Sequence, residues 1–432
     1  MEDIELESVE VYHSPPDQPN TKPVIRILLG CGLLQLPIWG FAMTFGIFQD
    51  TYAKQHRFNS STGIIGTTTN GVMYLSMPIL STLLEKEAWV PWQRTIAILG
   101  TLLSAISFLG SSWGTTVGEL VLLQGVLAAL GNAMTYTPTT LWIDTWFRGG
   151  NRATAYSVAF SMKNIVGTAT PFLMSGMLQR LGSAWALRIW AAFVLVIGLA
   201  GIALVPLPPT TRLRRQRNIP WSFLTHRTFY IYSIANIVFS CGYGLPQTYL
   251  SIYASQYLHL PAAESAAMIA LFNAPGILSC TGFGLLHDKL NVSSTVTTLV
   301  SAIGSALSVF LLWGLKSNTI AGLLISFAIG FGFFASAYSS TWGGWINEIE
   351  KEAAENNEAV NSGMVYGFMN GARGIGYVAG GLSGVGLLQL GAIQASQQWA
   401  FGTKYGALIL FTGISSAFGG WSVLWRGLSC RR

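Results

Sequence analysis

Apolar segments of about twenty residues recur along almost the whole chain. Because about 20 apolar residues in a helix span the hydrocarbon core of a bilayer, these segments predict twelve transmembrane helices and an all-α membrane protein. Only 10% of the 432 residues are charged, against roughly 25% in soluble domains, which excludes a water-soluble fold. The segments lie near 25–49, 63–84, 95–112, 117–143, 153–178, 185–207, 229–254, 263–286, 295–315, 319–344, 361–390 and 403–426.

The longest polar break that is not acidic divides the chain into two halves. Residues 1–24 are acidic and contain prolines, which is typical of a disordered cytoplasmic tail. We expect a six-helix N-terminal bundle over 25–207, a basic cytoplasmic linker over 208–228 and a six-helix C-terminal bundle over 229–428.

The positive charges predict the orientation in the membrane. With the N-terminus inside, sixteen Lys and Arg residues fall on the cytoplasmic side, six fall outside and two lie in mid-membrane. Since Lys and Arg collect in short cytoplasmic loops, both termini are predicted to be cytoplasmic. The net charge of +6 therefore reflects orientation and contact with lipid headgroups rather than nucleic-acid binding. We expect a monomeric, multi-pass protein of the plasma membrane.

Lys163 and Arg373 are the two cations that lie deep inside predicted helices. Each stands about ten residues from the start of its helix, roughly 15 Å deep at 1.5 Å per residue. No acid lies at comparable depth in the sequence. An ionisable residue in mid-membrane is costly and marks a candidate functional site, so the pair predicts a site for a small organic anion. The alternative is that each cation binds backbone carbonyls or neighbouring polar side chains.

Three further residues are predicted to line this site. Asn370 lies one turn before Arg373, while Tyr249 and Tyr338 offer aromatic surface for a flat or apolar substrate. The tyrosines have an alternative role as interface anchors or core residues.

The two halves echo one another. Ser81 is followed by Glu85 and Lys86, and Gly284 by Asp288 and Lys289 with the same spacing. An offset of 210 places Lys163 on Arg373 and Gln179 on Gln389. Such repeats are typical of secondary transporters, which bind substrate between the repeats. The acid–base pairs Glu85/Lys86 and Asp288/Lys289 are predicted to gate the cytoplasmic side.

Other chemistries find little support in the sequence. The four cysteines show no disulfide or zinc spacing, and there is no Walker A motif. We therefore predict no cofactor, no metal and no enzymatic activity. Asn59 begins a glycosylation sequon, Asn-Ser-Ser, on a predicted outer loop.

Several segments resemble the major facilitator superfamily, and within it the fungal branch similar to monocarboxylate porters. GFAMTFGIFQDTY at 40–52 resembles the first helix of that branch, and residues 145–182 resemble its fourth loop and fifth helix. STWGGWINEI at 340–349 and ARGIGYVAGGLSG at 372–384 resemble the tenth and eleventh helices. The resemblance implies a twelve-helix transporter that works by alternating access.

One position departs from the family pattern. The family commonly has an arginine seven residues after Asn273, where this chain has Cys280. The predicted function is transport of a small organic anion such as a monocarboxylate, with H+ as the candidate coupled ion, or efflux of an acidic secondary metabolite. The alternative is a membrane nutrient sensor or receptor on the same fold.

Overall fold

The computed structural model describes residues 21–54, 62–147, 152–206, 221–290, 292–393 and 398–423. Over these ranges the chain is almost entirely helical and holds no β-strand. Helices suit this sequence because an α-helix satisfies its backbone hydrogen bonds internally, as lipid requires. The predicted all-α fold is confirmed.

Within the described residues, thirteen α-helices follow in chain order. They are α1 (Thr21–Lys54), α2 (Gly63–Leu84), α3 (Gln93–Ser111), α4 (Val117–Leu120), α5 (Ala128–Phe147), α6 (Arg152–Leu204), α7 (Arg227–Tyr257), α8 (Ala262–Leu290), α9 (Ser294–Leu307), α10 (Ala321–Tyr338), α11 (Trp342–Glu355), α12 (Ser362–Leu390) and α13 (Gly406–Phe418).

Three local features relate these helices to the predicted spans. α6 is two helices joined at Gly182, whose φ of 78° is open to glycine without strain. α4 continues into α5 through a π-helical stretch, Val121–Leu127, and α10 continues into α11 through a 3₁₀ turn. Seven helical stretches of the described chain are long and apolar enough to cross a membrane. The count of twelve crossings stays a prediction.

Each half packs mainly on itself. In the first half α3 lies against α5 and α6, and α1 lies along α6; in the second half α10 contacts α8 and α9, and α7 contacts α12 and α13. The halves meet where α2 packs along α12 and α6 along α8. α1 begins at Thr21, within the predicted tail 1–24, and most of the predicted linker 208–228 lies outside the described residues. The division into two bundles stays a prediction.

Helices α2, α7 and α12 are not among the seven stretches that are long and apolar enough to cross a membrane. Thr, Asn, Gly and Tyr residues interrupt their apolar sequences. All three helices line the cavities described below, and some of their polar side chains, such as Asn70, Gln247 and Asn370, face those cavities.

Glycines on α12 allow α7 to approach closely. A Cβ atom at Gly376 would meet the backbone carbonyl of Ile237, and one at Gly380 would meet the backbone of Cys241. Gly376 and Gly380 thus form a small-residue packing face between α12 and α7.

Candidate functional site

The helix directions define two ends of the molecule. We call the end where α1, α6 and α12 begin the N-terminal face, and the other end the opposite face. Lys163 and Arg373 are each the twelfth residue of their helices, α6 and α12. At 1.5 Å per residue both lie about 16 Å from the N-terminal face. Both line one small central chamber of about 30 Å³ between the halves.

Arg373 is surrounded by aromatic rings instead of carboxylates. Its guanidinium carbon lies 5.0 Å from the ring centre of Tyr243, 5.3 Å from that of Trp342 and 5.8 Å from that of Tyr377. The side chain is only 3% exposed, and its Nε has no hydrogen-bond partner. Rings stabilise a buried cation by about 2 kcal/mol, less than burial of the charge costs. An anion at this position would supply the missing stabilisation.

Lys163 also contacts an aromatic face. Its Nζ lies 4.1 Å from the ring centre of Trp39, and the Trp39 indole nitrogen donates to Gln35 at 2.9 Å. None of the ion pairs among the described residues involves Lys163 or Arg373. The chamber therefore holds two basic side chains without a carboxylate among its described lining residues.

Asn370 and Cys280 belong to the polar lining of the chamber. Asn370 donates to the carbonyl of Tyr366 at 2.9 Å. Cys280 accepts a bond from Asn164 at 3.3 Å and donates to the carbonyl of Ser336 at 3.2 Å. The position where the family commonly has arginine thus faces the same chamber as the two cations, but supplies a neutral thiol.

Two tyrosine pairs border the chamber and join the halves. Tyr156 of α6 stacks on Tyr366 of α12, with ring centres 4.8 Å apart and planes 7° apart, on the N-terminal side of the cations. Tyr74 of α2 stacks on Tyr377 of α12 at 5.4 Å, on the opposite side. We call these the inner and the outer tyrosine pair.

An ionic cluster joins the halves at the N-terminal face. Arg152 bonds Glu350 at 2.6 and 3.0 Å and Asp144 at 3.1 Å. Ser362 donates to Glu350 at 2.7 Å. Burial lowers the pKa of Arg152, but its bond to Glu350 and the charge of Asp144 raise it above the ordinary value, so the side chain is always charged. The cluster closes this face, and it lies nearer to the start of α6 than the inner tyrosine pair does.

The predicted gating residues are only partly brought together. Glu85 accepts a bond from Asn361, just before α12, at 2.7 Å and so contacts the second half. Lys86 and Lys289 are exposed. The side chain of Asp288 and the sequon residue Asn59 lie outside the described part of the chain. Gating by these four charges stays a prediction.

A larger cavity of about 620 Å³ lies on the other side of the outer pair. It reaches Gln49 near the end of α1, Gly63 at the start of α2 and Lys404 just before α13, so it extends to the opposite face. We call it the vestibule. Tyr249 lines the vestibule rather than the chamber.

Tyr338 lines neither cavity. It is fully buried, stacks on Phe239 at 3.8 Å and donates to the carbonyl of Gly419 at 3.0 Å. This is the core role that the sequence left open, and the geometry gives no support to substrate binding by Tyr338.

The sequence prediction did not include Arg152 or the inner tyrosine pair. The offset of 210 that pairs Lys163 with Arg373 also pairs Tyr156 with Tyr366, so the repeat marks the two tyrosines as equivalent positions but does not predict that they touch. Arg152 has no such signal, since its partner Glu350 lies 198 residues away.

The apolar helices, the closed N-terminal face, the central chamber and the vestibule define an integral multi-pass membrane protein with the architecture of a transporter. Residues 33–381 match the model of the Major Facilitator Superfamily. The chain belongs to this superfamily, as the sequence predicted.

Similar proteins come from fungi. The fujikurins efflux protein of Gibberella fujikuroi is 26% identical over 341 residues, 76% of this chain and 69% of the relative. An MFS-type transporter of Gibberella moniliformis is 24% identical over 88% of this chain and 89% of its own length. The aspyridones efflux protein of Emericella nidulans is 23% identical over 74% and 65%. These names do not test the narrower resemblance to monocarboxylate porters.

Among solved structures, the human organic anion transporter MFSD10 (TETRAN) superposes with a TM-score of 0.62. The match covers 92% of this chain and 99% of that one at 14% identity. At this identity the likeness concerns the fold alone.

Proposed function

We propose that this protein is a secondary transporter that moves an organic anion by alternating access, with Lys163 and Arg373 as its binding cations. One observation carries the proposal: two cations face a chamber between the halves, and no described carboxylate neutralises them. Arg373 offers a planar fork suited to a carboxylate, and Lys163 a compact charge. Asn370 lines the same chamber and would orient the head group.

The two ends of the molecule support this mechanism. The Arg152 cluster and the inner tyrosine pair close the N-terminal face, while the vestibule leads to the opposite face. Opening the N-terminal face requires these contacts between the halves to separate, after which the chamber reaches the other side. The fungal relatives named as efflux proteins favour export over import, and the two basic residues of the chamber favour an acidic metabolite as the cargo.

We also propose that the N-terminal face lies in the cytoplasm of a plasma-membrane protein. The excess of Lys and Arg in the loops on that side supports this orientation. Labelling of Lys86→Cys by an impermeant thiol reagent in intact cells, in a background with the four native cysteines changed to serine, tests it. The orientation requires that label appear only after permeabilisation.

Transport is tested with purified protein in proteoliposomes and labelled acetate, lactate, benzoate and N-benzoylphenylalaninate. We expect saturable uptake of at least one acid by the wild type and at least about a hundredfold loss in Arg373→Gln, since a charged bidentate contact contributes about 3 kcal/mol. Arg180→Gln, which changes an exposed arginine outside both cavities, is the matched control. Binding without uptake would favour the sensor alternative, and uptake unchanged by Arg373→Gln would remove Arg373 from the site.

Proton coupling is a separate part of the proposal. Uptake in the presence of an inward proton gradient should exceed uptake at equal pH if H+ is the coupled ion. Uptake that is unchanged by the proton gradient and by a protonophore would indicate facilitated diffusion.

A further inference from the structure

The vestibule wall offers hydrogen-bonding groups but little charge. Four side-chain carboxamides face the cavity, and Lys404 is the one charged residue among the described lining. A positive group at the mouth attracts anions, but the wall beyond it offers hydrogen bonds without charge. The carboxamides belong to Gln49, Asn70, Gln247 and Gln389.

Gln49 carries an unused acceptor. Its Oε1 is buried and has no hydrogen-bond partner in the described structure. An unpaired buried carbonyl costs about 1–3 kcal/mol unless a donor satisfies it. Gln49 lines the vestibule, so a rotation of its side chain towards the cavity would present this oxygen to a substrate N–H or O–H group.

An apolar strip of α12 faces the same cavity. Leu382 is 61% exposed and Val385 is 55% exposed, and both line the vestibule together with Leu388. Apolar surface facing an aqueous cavity favours a ligand with an apolar body, because covering it removes it from water.

Vestibule and chamber are neighbouring compartments separated by the outer tyrosine pair. Tyr377 lines the vestibule, while its stacking partner Tyr74 lines the chamber beside Arg373. The chamber holds about 30 Å³ and the vestibule about 620 Å³. Cavities of roughly 300–1,000 Å³ enclose drug-sized ligands, whereas a small monocarboxylate would leave most of the vestibule to water.

We propose that the substrate is an amphiphilic organic anion larger than a simple monocarboxylate, with one acidic head for Arg373 and Lys163 and a mainly apolar body that carries a hydrogen-bond donor for Gln49. This rests on the proposed function and narrows its substrate class. Tyr377 swings aside to admit the head, and the body stays in the vestibule between α12 and the carboxamides of α1, α2 and α7.

The test measures binding to purified full-length protein by equilibrium dialysis with three probes. N-benzoylphenylalaninate has an acidic head, an amide N–H and two rings; its carboxamide twin lacks the charge; acetate lacks the body. We expect the aromatic anion to bind at least about tenfold more tightly than either of the other two. Gln49→Leu should weaken its binding about tenfold and leave acetate unchanged.

Gln179→Leu is the matched control. Gln179 lies in α6 and lines neither cavity, while its equivalent in the second half, Gln389, lines the vestibule. Acetate binding as tight as the aromatic anion, or no binding of that anion at about 10 mM, would overturn the proposed size class. No effect of Gln49→Leu would overturn the vestibule as the site of the body. Arg373→Gln distinguishes failure of this inference from failure of the proposed function. If the variant binds acetate more weakly than the wild type does, but the wild type shows no preference for the larger anion, the anion site stands and this inference falls.

Discussion

Arg152 at the start of α6 lies 2.6 Å from Glu350 on α11, measured from Nη2 to Oε2, and so ties the first half of the chain to the second. The arginine is 10% exposed and the glutamate 32%. Because the pair is partly buried and also bonds Asp144 and Ser362, it is screened less than a surface pair, and removing one partner would leave the other charge poorly compensated.

We predict that Glu350→Gln opens the N-terminal face. Losing one charge of the pair should cost the closed state on the order of 1–2 kcal/mol, which shifts the closed-to-open ratio about tenfold. Spin labels at the exposed positions Lys86→Cys and Lys289→Cys, in a background with the four native cysteines changed to serine, report the distance between the halves. The fraction of long distances should rise. Glu87→Gln, at an exposed position, is the control. Equal distance distributions in the two variants would refute the prediction that the Arg152–Glu350 pair holds the N-terminal face closed.

The inner tyrosine pair predicts a coupling between the halves. Tyr156→Ala and Tyr366→Ala should each destabilise the protein, and together by less than the sum of the two. The difference should be about 0.5–1.5 kcal/mol, the usual contribution of an aromatic pair. A double-mutant cycle of thermal unfolding measures it. Tyr156→Phe keeps the ring and loses only the bond to the carbonyl of Thr140, so it should retain the coupling. Additive effects would contradict a stabilising stack.

The two cavities predict an order of thiol reactivity. Cys241 is partly exposed and lines the vestibule, Cys280 is 5% exposed in the chamber, and Cys31 is fully buried. In single-cysteine variants, an anionic methanethiosulfonate reagent should modify Cys241 at least about tenfold faster than Cys280, because access limits the reaction. Cys31 should stay unmodified. Mass spectrometry follows the rates; faster reaction at Cys280 would show that the outer tyrosine pair does not separate chamber from vestibule.

Close packing of α12 on α7 predicts different effects for two glycines. Gly380→Ala should destabilise by about 1–3 kcal/mol, since the new Cβ would meet the backbone of Cys241. Gly386 has open space around it, so Gly386→Ala should be neutral or stabilise by up to about 1 kcal/mol through helix propensity. Thermal unfolding of both variants in one detergent compares them. A similar melting temperature for the two would refute the close contact.

Much of the fold followed from patterns local in sequence. Apolar segments of bilayer length predicted the helices, and Lys163 and Arg373 were identified because an unpaired charge in the middle of an apolar segment is costly wherever its neighbours lie. The predicted roles of Tyr249 and Tyr338 had no such basis. An aromatic residue is equally compatible with a core, an interface or a cavity. In the fold, Tyr249 lines the vestibule and Tyr338 packs against Phe239.

The sequence alone determined the membrane class, the helical fold and the two deep cations, since each depends on the free energy of placing single segments or charges in lipid. Only the tertiary structure decided which residues meet, namely Arg152 with Glu350 and Tyr156 with Tyr366. It also decided that Tyr377 lies between chamber and vestibule. Such contacts join residues about two hundred positions apart in the chain. They depend on how the halves pack together, and that packing is a property of all the helices at once rather than of any one segment.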